Sequence, residues 1–255
     1  MGVQSQAPPY RVLGLSMARL KFNAVTVRYP VYNSRGMSLR NHLVRISTGG
    51  SIERESGRVQ MVTALQDVSF QLNRGDAVGL VGHNGAGKST LLRTMAGIYS
   101  PTQGSIEREG RVATMLELGA GMDNELSGYE NITRMSLLMG ERVADVRQRI
   151  EEIERFTQLG NFLQMPVRTY SSGMVARLIF AVATSTRPDI LLVDEIFGLG
   201  DAEFRDQAHA RMESLVKSVG IFVFASHSSD LVKQYCNRFF RLEHGRLREC
   251  DASEV

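Results

Sequence analysis

Gly82–Thr90 reads GHNGAGKST, and it stands between the compact apolar run Ala77–Val81 and a segment carrying Leu91, Leu92 and Met95 at helical spacing. Gly82, Gly85 and Gly87 let the backbone curl until successive N–H groups face a common point, and the helix that follows adds the positive end of its dipole. A strand, a glycine loop and a helix N-terminus in that order make a phosphate cradle, in which His83, Asn84, Ala86 and Thr90 complete the loop. Lys88 is placed to reach the β- and γ-phosphates of a nucleotide, and the Ser89 hydroxyl to take one position on Mg²⁺. Gly97 stands where a C-cap glycine would, so the spacing predicts a helix over 88–96.

Kinases, GTPases, motors, helicases and transporters all use such loops, so the rest of the chain must say what the phosphate is for. Its 255 residues, 43% hydrophobic and 22% charged, suffice for one α/β domain with a subdomain. A net charge of +3, with 27 acidic residues set against 30 basic ones, gives no reason to expect direct nucleic-acid binding. Cys236 and Cys250 have no CxxC spacing, which argues against a zinc site or a disulfide framework and for a reducing cytoplasm. The apolar runs are short, DILLVDE and IFVFAS being typical, and none is long enough to span a bilayer. The first residues lack the pattern of a secretory signal and read as a loose extension over 1–17, with Met17 an alternative start.

Along the chain, apolar residues fall on both parities between Leu20 and Tyr29, which predicts a strand buried on both faces. Residues from about 30 to 60 break that pattern with Gly49, Gly50, Gly57 and many charges, and read as an inserted loop with a helical patch at Leu39, Leu43 and Ile46. A strand through Val68, Phe70 and Leu72 ends at the turn NRGD. From about 122 to 186 the texture is helical, with Ile150, Ile153 and Phe156 on one face. Strand, helix and strand return at Ile190–Val193, around Phe204 to Leu215, and at Ile221–Ala225, before a hairpin that turns at His244 and Gly245.

Three further stretches carry chemistry. ILLVDE ends an apolar strand in Asp194 and Glu195; beside the loop's own strand, it would put Asp194 near Mg²⁺ and Glu195 near the γ-phosphate, where a carboxylate can deprotonate an attacking water. His227, in ASHS, follows a strand at the carboxyl edge of the expected parallel sheet, where ligands of such folds collect. In TYSSGMVARLIFA, the small residues Ser171, Ser172 and Gly173, then Met174, open a helix, giving a second N-terminus suited to an anion. An ordinary serine N-cap is the plainer alternative. One nucleotide needs one cradle, so a second suggests sharing between subunits.

Taken in order, these motifs resemble the ATP-binding cassette family over essentially everything from Leu20 to the terminal hairpin: GHNGAGKST resembles Walker A, YSSGM the signature motif, ILLVDE Walker B and ASHS the switch-histidine loop. The resemblance implies a P-loop α/β core with a mostly parallel sheet, an antiparallel β-subdomain and an inserted helical subdomain over about 122–186, all within a nucleotide-binding domain at 18–255. It implies catalytic roles for Glu195, His227 and Lys88, metal ligation by Ser89, Asp194 and Glu117, and a D-loop at Asp201. Tyr29 lies where the family sets an aromatic ring against adenine, although Tyr32 competes for that place and a core tyrosine is the ordinary alternative. ATP and Mg²⁺ are the implied cofactors.

Two departures narrow the resemblance: YSSGM replaces the commoner LSGGQ, and Glu117 stands where a glutamine is usual. With the insertion after Tyr29 and the stretch DEIFGLGDAEF, the chain looks like the ATPase subunit of bacterial exporters of O-antigen, capsule or teichoic acid. That implies a homodimer bridged by ATP, peripheral on the cytoplasmic face of the inner membrane. A separate membrane subunit would dock near Glu117 and Met122 and make most of the contact with the polysaccharide. Some members carry an additional C-terminal carbohydrate-binding domain, which a chain ending at Val255 either lacks naturally or has lost by truncation. A soluble cassette ATPase acting on nucleic acid or ribosomes is the other reading, although neither a second cassette nor a long coiled coil is in evidence. A regulator without turnover would be expected to lack the catalytic acid, and Glu195 is in place.

Overall fold

The runs Ile190–Val193 and Ile221–Ala225 are buried along their whole length, and their side chains divide by parity between two cores. Ile190, Leu192, Ile221, Val223 and Ala225 enter one, while Leu191, Val193, Phe222 and Phe224 enter the other. Such strands belong at the centre of a sheet covered on both faces. The computed structural model, which describes residues 18–32, 52–54, 59–116, 119–195 and 202–255, builds the fold around them.

In chain order, β1 (Arg19–Tyr32), β2 (Ile52–Arg54), β3 (Val59–Asn73) and β4 (Ala77–Val81) lead to α1 (Lys88–Ala96). Next come β5 (Gln103–Glu109) and β6 (Val112–Met115), then the helices α2 (Gly128–Leu138), α3 (Val143–Thr157) and α4 (Ser172–Ala183). The chain closes with β7 (Ile190–Asp194), α5 (Ala202–Ser218), β8 (Ile221–Ala225), α6 (Ser229–Tyr235), β9 (Arg238–Glu243) and β10 (Arg246–Cys250). One sheet has the order β10-β9-β4-β8-β7-β6, parallel except for β10, which returns antiparallel to β9 through the turn at His244 and Gly245. The other is antiparallel, in the order β2-β3-β1-β5.

α1 is sandwiched between the two sheets. Its Leu91, Leu92 and Met95 meet Leu20, Phe22 and Leu65 from the antiparallel sheet and Leu80 and Leu192 from the parallel one. Fully burying each such side chain contributes about 1.5–3 kcal/mol, enough to fix the start of α1 against both sheets. On the opposite face, Phe180 of α4, Phe204 and Met212 of α5 and Val232 of α6 cover Leu191, Phe222 and Phe224. α2, α3 and α4 form a third cluster through Ile132, Met135, Val146, Ile153 and Leu178.

The structure corrects the expected strands in four places. β1 does not bury two faces: Ala24, at φ 48°, sits in a bulge between Phe22 and Val25, so the inward parity switches from Leu20 and Phe22 to Val25 and Val27. The region expected as a loop over 30–60 includes β2 and the start of a 15-residue β3. β5 went unanticipated because its sequence, QGSIERE, is exposed apart from the partly buried Ile106 and pairs only at the sheet's edge. Finally, β7 does not lie beside β4, because β8 intervenes. The expected helical patch at Leu39, Leu43 and Ile46, together with Glu117 and Asp201, lies outside the described residues.

Candidate nucleotide site

The glycine loop leaves the carboxyl end of β4 and is braced from behind by the terminal hairpin. Gly245 donates its N–H to the Ala86 carbonyl at 3.1 Å and accepts from the Gln66 N–H at 2.8 Å, tying loop, hairpin and β3 together. Gly87 caps α1 at φ 110°, and a Cβ there would come within 2.7 Å of the Ala64 carbonyl. Only glycine tolerates both the backbone angle and the approach. No side chain caps α1, so its first N–H groups are left to face the cleft.

Lys88 is buried and folds back over the loop, its Nζ donating to the carbonyl of Gly82 at 2.6 Å and of His83 at 3.3 Å. Burial pushes its ammonium below the ordinary 10.5, while Asp194 and then Glu195 act to hold it up. Ser89 Oγ donates to Asp194 Oδ2 at 2.7 Å. This pairing survives the intervening strand because α1 crosses over the sheet and packs on β6 and β7, bringing Ser89 to the end of β7. Two hard oxygen donors so placed fit Mg²⁺.

One residue on, Glu195 has φ 41°, a left-handed angle costly for a side chain, held by an N–H bond of 3.0 Å to the Ala225 carbonyl. Its Oε1 lies 3.0 Å from His227 Nε2, and both side chains are about half exposed. An acid near a phosphate cradle, oriented by a histidine, is positioned to take a proton from water.

These groups share one cleft of about 470 Å³, lined by the loop, Tyr29, Asp194, Glu195 and His227. Tyr29 is 39% exposed and so is not a core tyrosine. Thr63, Ala64, Leu116 and Gly245 also line the cleft and were not foreseen; they arrive through strand pairing and the hairpin, and only the His244–Gly245 turn had a local signal. His83 extends the site outward, its ring 5.3 Å from that of His244.

YSSGM lies elsewhere. Ser171 caps α4, accepting from the Met174 N–H at 3.2 Å; Ser171 and Ser172 are exposed, Gly173 and Met174 partly so, and none of the four lines the cleft. A second concavity of about 500 Å³ runs between α1, β6 and α2, lined by Arg93, Ile98, Leu116, Met135, Leu138 and Met139, among others. Met122 packs into the helical cluster and is not part of that lining. Among the described residues, no helix is long and apolar enough to cross a membrane.

A parallel sheet with a glycine phosphate loop at its carboxyl edge, and acids converging on that loop, defines a P-loop nucleotide-binding protein. The chain belongs to the ABC transporter family, whose model matches residues 65–198, more than half of its length. It is 62% identical over 233 residues to the O-antigen export system ATP-binding protein RfbE of Yersinia enterocolitica, covering 91% of this chain and 98% of the relative. The O-antigen export system ATP-binding protein RfbB of Klebsiella pneumoniae is 40% identical over 235 residues, covering 92% and 94% respectively. In fold, the chain resembles the ATP-binding cassette MJ0796, solved as a dimer in a post-hydrolysis state with ADP and Pi, at a TM-score of 0.65 and 18% identity over 91% of this chain and 98% of that one.

Proposed function

We propose that this chain is the ATP-hydrolysing subunit of an exporter that moves a lipid-linked polysaccharide of the O-antigen type across the inner membrane, and that it works as a homodimer on the cytoplasmic face. The observation that carries the reading is a division within the molecule. Lys88, the Ser89–Asp194 pair and the Glu195–His227 pair meet in one cleft, while Ser171 and the exposed start of α4 stand outside it. A second copy would complete the site by presenting its Ser171, Ser172 and Gly173 to a nucleotide held by the first. Near-full-length likeness to two O-antigen export ATP-binding proteins supports the choice of cargo.

In this reading the α1 N–H groups and Lys88 hold the phosphates, and Tyr29 lies against the base. Ser89 and Asp194 hold Mg²⁺, which when bound offsets phosphate charge. Glu195 takes the proton of the attacking water, and His227 orients Glu195. Asp201 and Glu117 are proposed to serve the D-loop and the metal. The membrane subunit would occupy the apolar groove beside Leu138 and Met139, which are 66% and 36% exposed. Closure of two copies around ATP would then move that subunit.

The test is turnover by the purified chain with MgATP. Glu195→Gln should keep nucleotide binding and lose about a hundredfold to ten-thousandfold in kcat, the span of a general base. Turnover near the parent's rate would remove Glu195 from the mechanism, and failure of membrane vesicles carrying the partner subunit to export glycolipid would remove the cargo.

A further inference from the structure

The tyrosine of YSSGM, where leucine is commoner, has no task in the cleft. Tyr170 immediately precedes the Ser171 cap of α4, and its hydroxyl points away from that helix to the start of α2. There it lies against Gly128, the first helical residue of α2, and donates to the Phe162 carbonyl at 2.6 Å. The ring stands edge-on to Phe162, with centroids 6.3 Å apart. Gly128 is what permits this approach, since a Cβ there would collide with the tyrosine hydroxyl and press on Leu163.

The loop over 119–127 is bonded closely to the start of α2. Leu116 lines the nucleotide cleft, and the loop that follows it returns to the described residues at Gly119. Asn131, fully buried in α2, accepts from the Asp123 N–H at 2.8 Å and donates to the carbonyls of Asp123, Leu126 and Ser127 at 2.9, 3.2 and 3.0 Å. Both N–H groups of that amide and its oxygen are thus engaged. The same loop is joined to the short 3-10 turn Val167–Thr169 that enters the signature: Val167 N–H donates to Leu126 O and Arg168 N–H to Asn124 O, each at 2.9 Å. An Arg168–Glu125 ion pair adds to the join. Tyr170 is the last tie of this set before the exposed serines.

We infer that Tyr170 is a positioning residue whose hydroxyl fixes the signature serines against the start of α2 and the Phe162 turn packed on it, and so sets their placement on a partner's nucleotide. This rests on the reading that Ser171 and Ser172 serve a nucleotide held by a second copy. Tyr170→Phe removes only the hydroxyl, taking from the Phe162 carbonyl the bond it accepts and from Gly128 the oxygen packed against it.

The experiment compares the purified parent, Tyr170→Phe, Tyr170→Leu, Gly128→Ala and Ser171→Arg for binding of a fluorescent ATP analogue and for MgATP turnover. Tyr170→Phe should hold the parent's Kd, which reports the chain's own loop, and lose roughly fivefold to tenfold in kcat, about what one hydrogen-bonded contact supplies. Gly128→Ala should give the same split, and combining it with Tyr170→Phe should cost little more than either alone, because both break one contact. A kcat for Tyr170→Phe equal to the parent's, with Ser171→Arg inactive, overturns the role of Tyr170 alone. A fully active Ser171→Arg overturns the shared site and this inference with it. Should Gly128→Ala fail to fold, the Tyr170→Phe comparison stands without it, and a loss that appears equally in Kd and kcat would mark Tyr170 as merely structural.

Discussion

The nucleotide cleft and the N-terminus of α4 are both helix starts suited to an anion, yet they are built differently. α1 opens at Gly87 with no side-chain cap, is clamped between two sheets, and faces Asp194, Glu195 and His227 within one chain. α4 opens at an exposed Ser171 that spends its oxygen on its own Met174 N–H, with no acid or histidine of the cleft beside it. The first gathers a phosphate cradle, two acids and a histidine in one cleft, and the second stands exposed apart from them. On the reading proposed above, a chain that carries one of each trades halves with a copy of itself.

The largest effect expected from that division is in mixing. Lys88→Ala should lose nucleotide binding, Ser171→Arg should bind nucleotide and not turn it over, and each alone should be inactive. Mixed chains form some dimers with one undamaged pair of halves, so ATPase should recover in part, to no more than about a quarter of the parent rate if sites fire independently. No recovery, with heterodimers shown to form, would mean that both halves act within one chain or that the two sites cannot fire singly.

A smaller effect is expected inside the cleft. His227→Ala removes the partner 3.0 Å from Glu195 but leaves the acid. It should lower kcat by roughly tenfold to a hundredfold and leave Kd for nucleotide little changed. A loss as large as that of Glu195→Gln would make the histidine a direct participant in proton transfer.

The smallest effect belongs to the scaffold of the signature side. Glu130 and Ser127 form a capping box at α2, and the Ser127 hydroxyl, then its backbone N–H, hold the Glu130 carboxyl below the ordinary 4.5. A depressed folded pKa gives stability that is present above the unfolded value and lost as pH falls through the folded one. Glu130→Gln should therefore melt slightly below the parent at pH 7, and the gap should close in acid below pH 4.5. A gap that stayed constant with pH would take the charge out of the box's contribution.

Much of the cleft was legible because its parts announce themselves locally. The glycine loop needs a strand before it and a helix after it, and Ile190–Val193 of β7 and the whole of β8, buried on both faces, are unbroken apolar runs. What was not legible depends on distant pairing. The bulge at Ala24 is held by Ser69, whose hydroxyl accepts the Ala24 N–H at 2.8 Å, and so two parities on one face read as two faces. The insertion of β8 between β4 and β7 leaves no trace in either strand's composition. The Thr63, Ala64 and Gly245 wall exists only because the hairpin turn bonds to β3 and the loop at once. On the signature side the N-cap was readable, whereas the close approach of Tyr170 to Gly128 was not, since it joins residues 42 apart in sequence at a packed helix start.

The shared site is tested most directly by a crosslink between chains. Cysteines placed by His83→Cys, at the mouth of the loop, and Ser172→Cys, at the start of α4, are brought together in a Glu195→Gln, Cys250→Ser background that holds ATP. The native Cys236 does not compete, because burial pushes its thiol up to about 12. With a short bifunctional thiol reagent, a dimer-sized product should form with MgATP and not without nucleotide. A product of single-chain mass only, with ATP bound, would contradict the account.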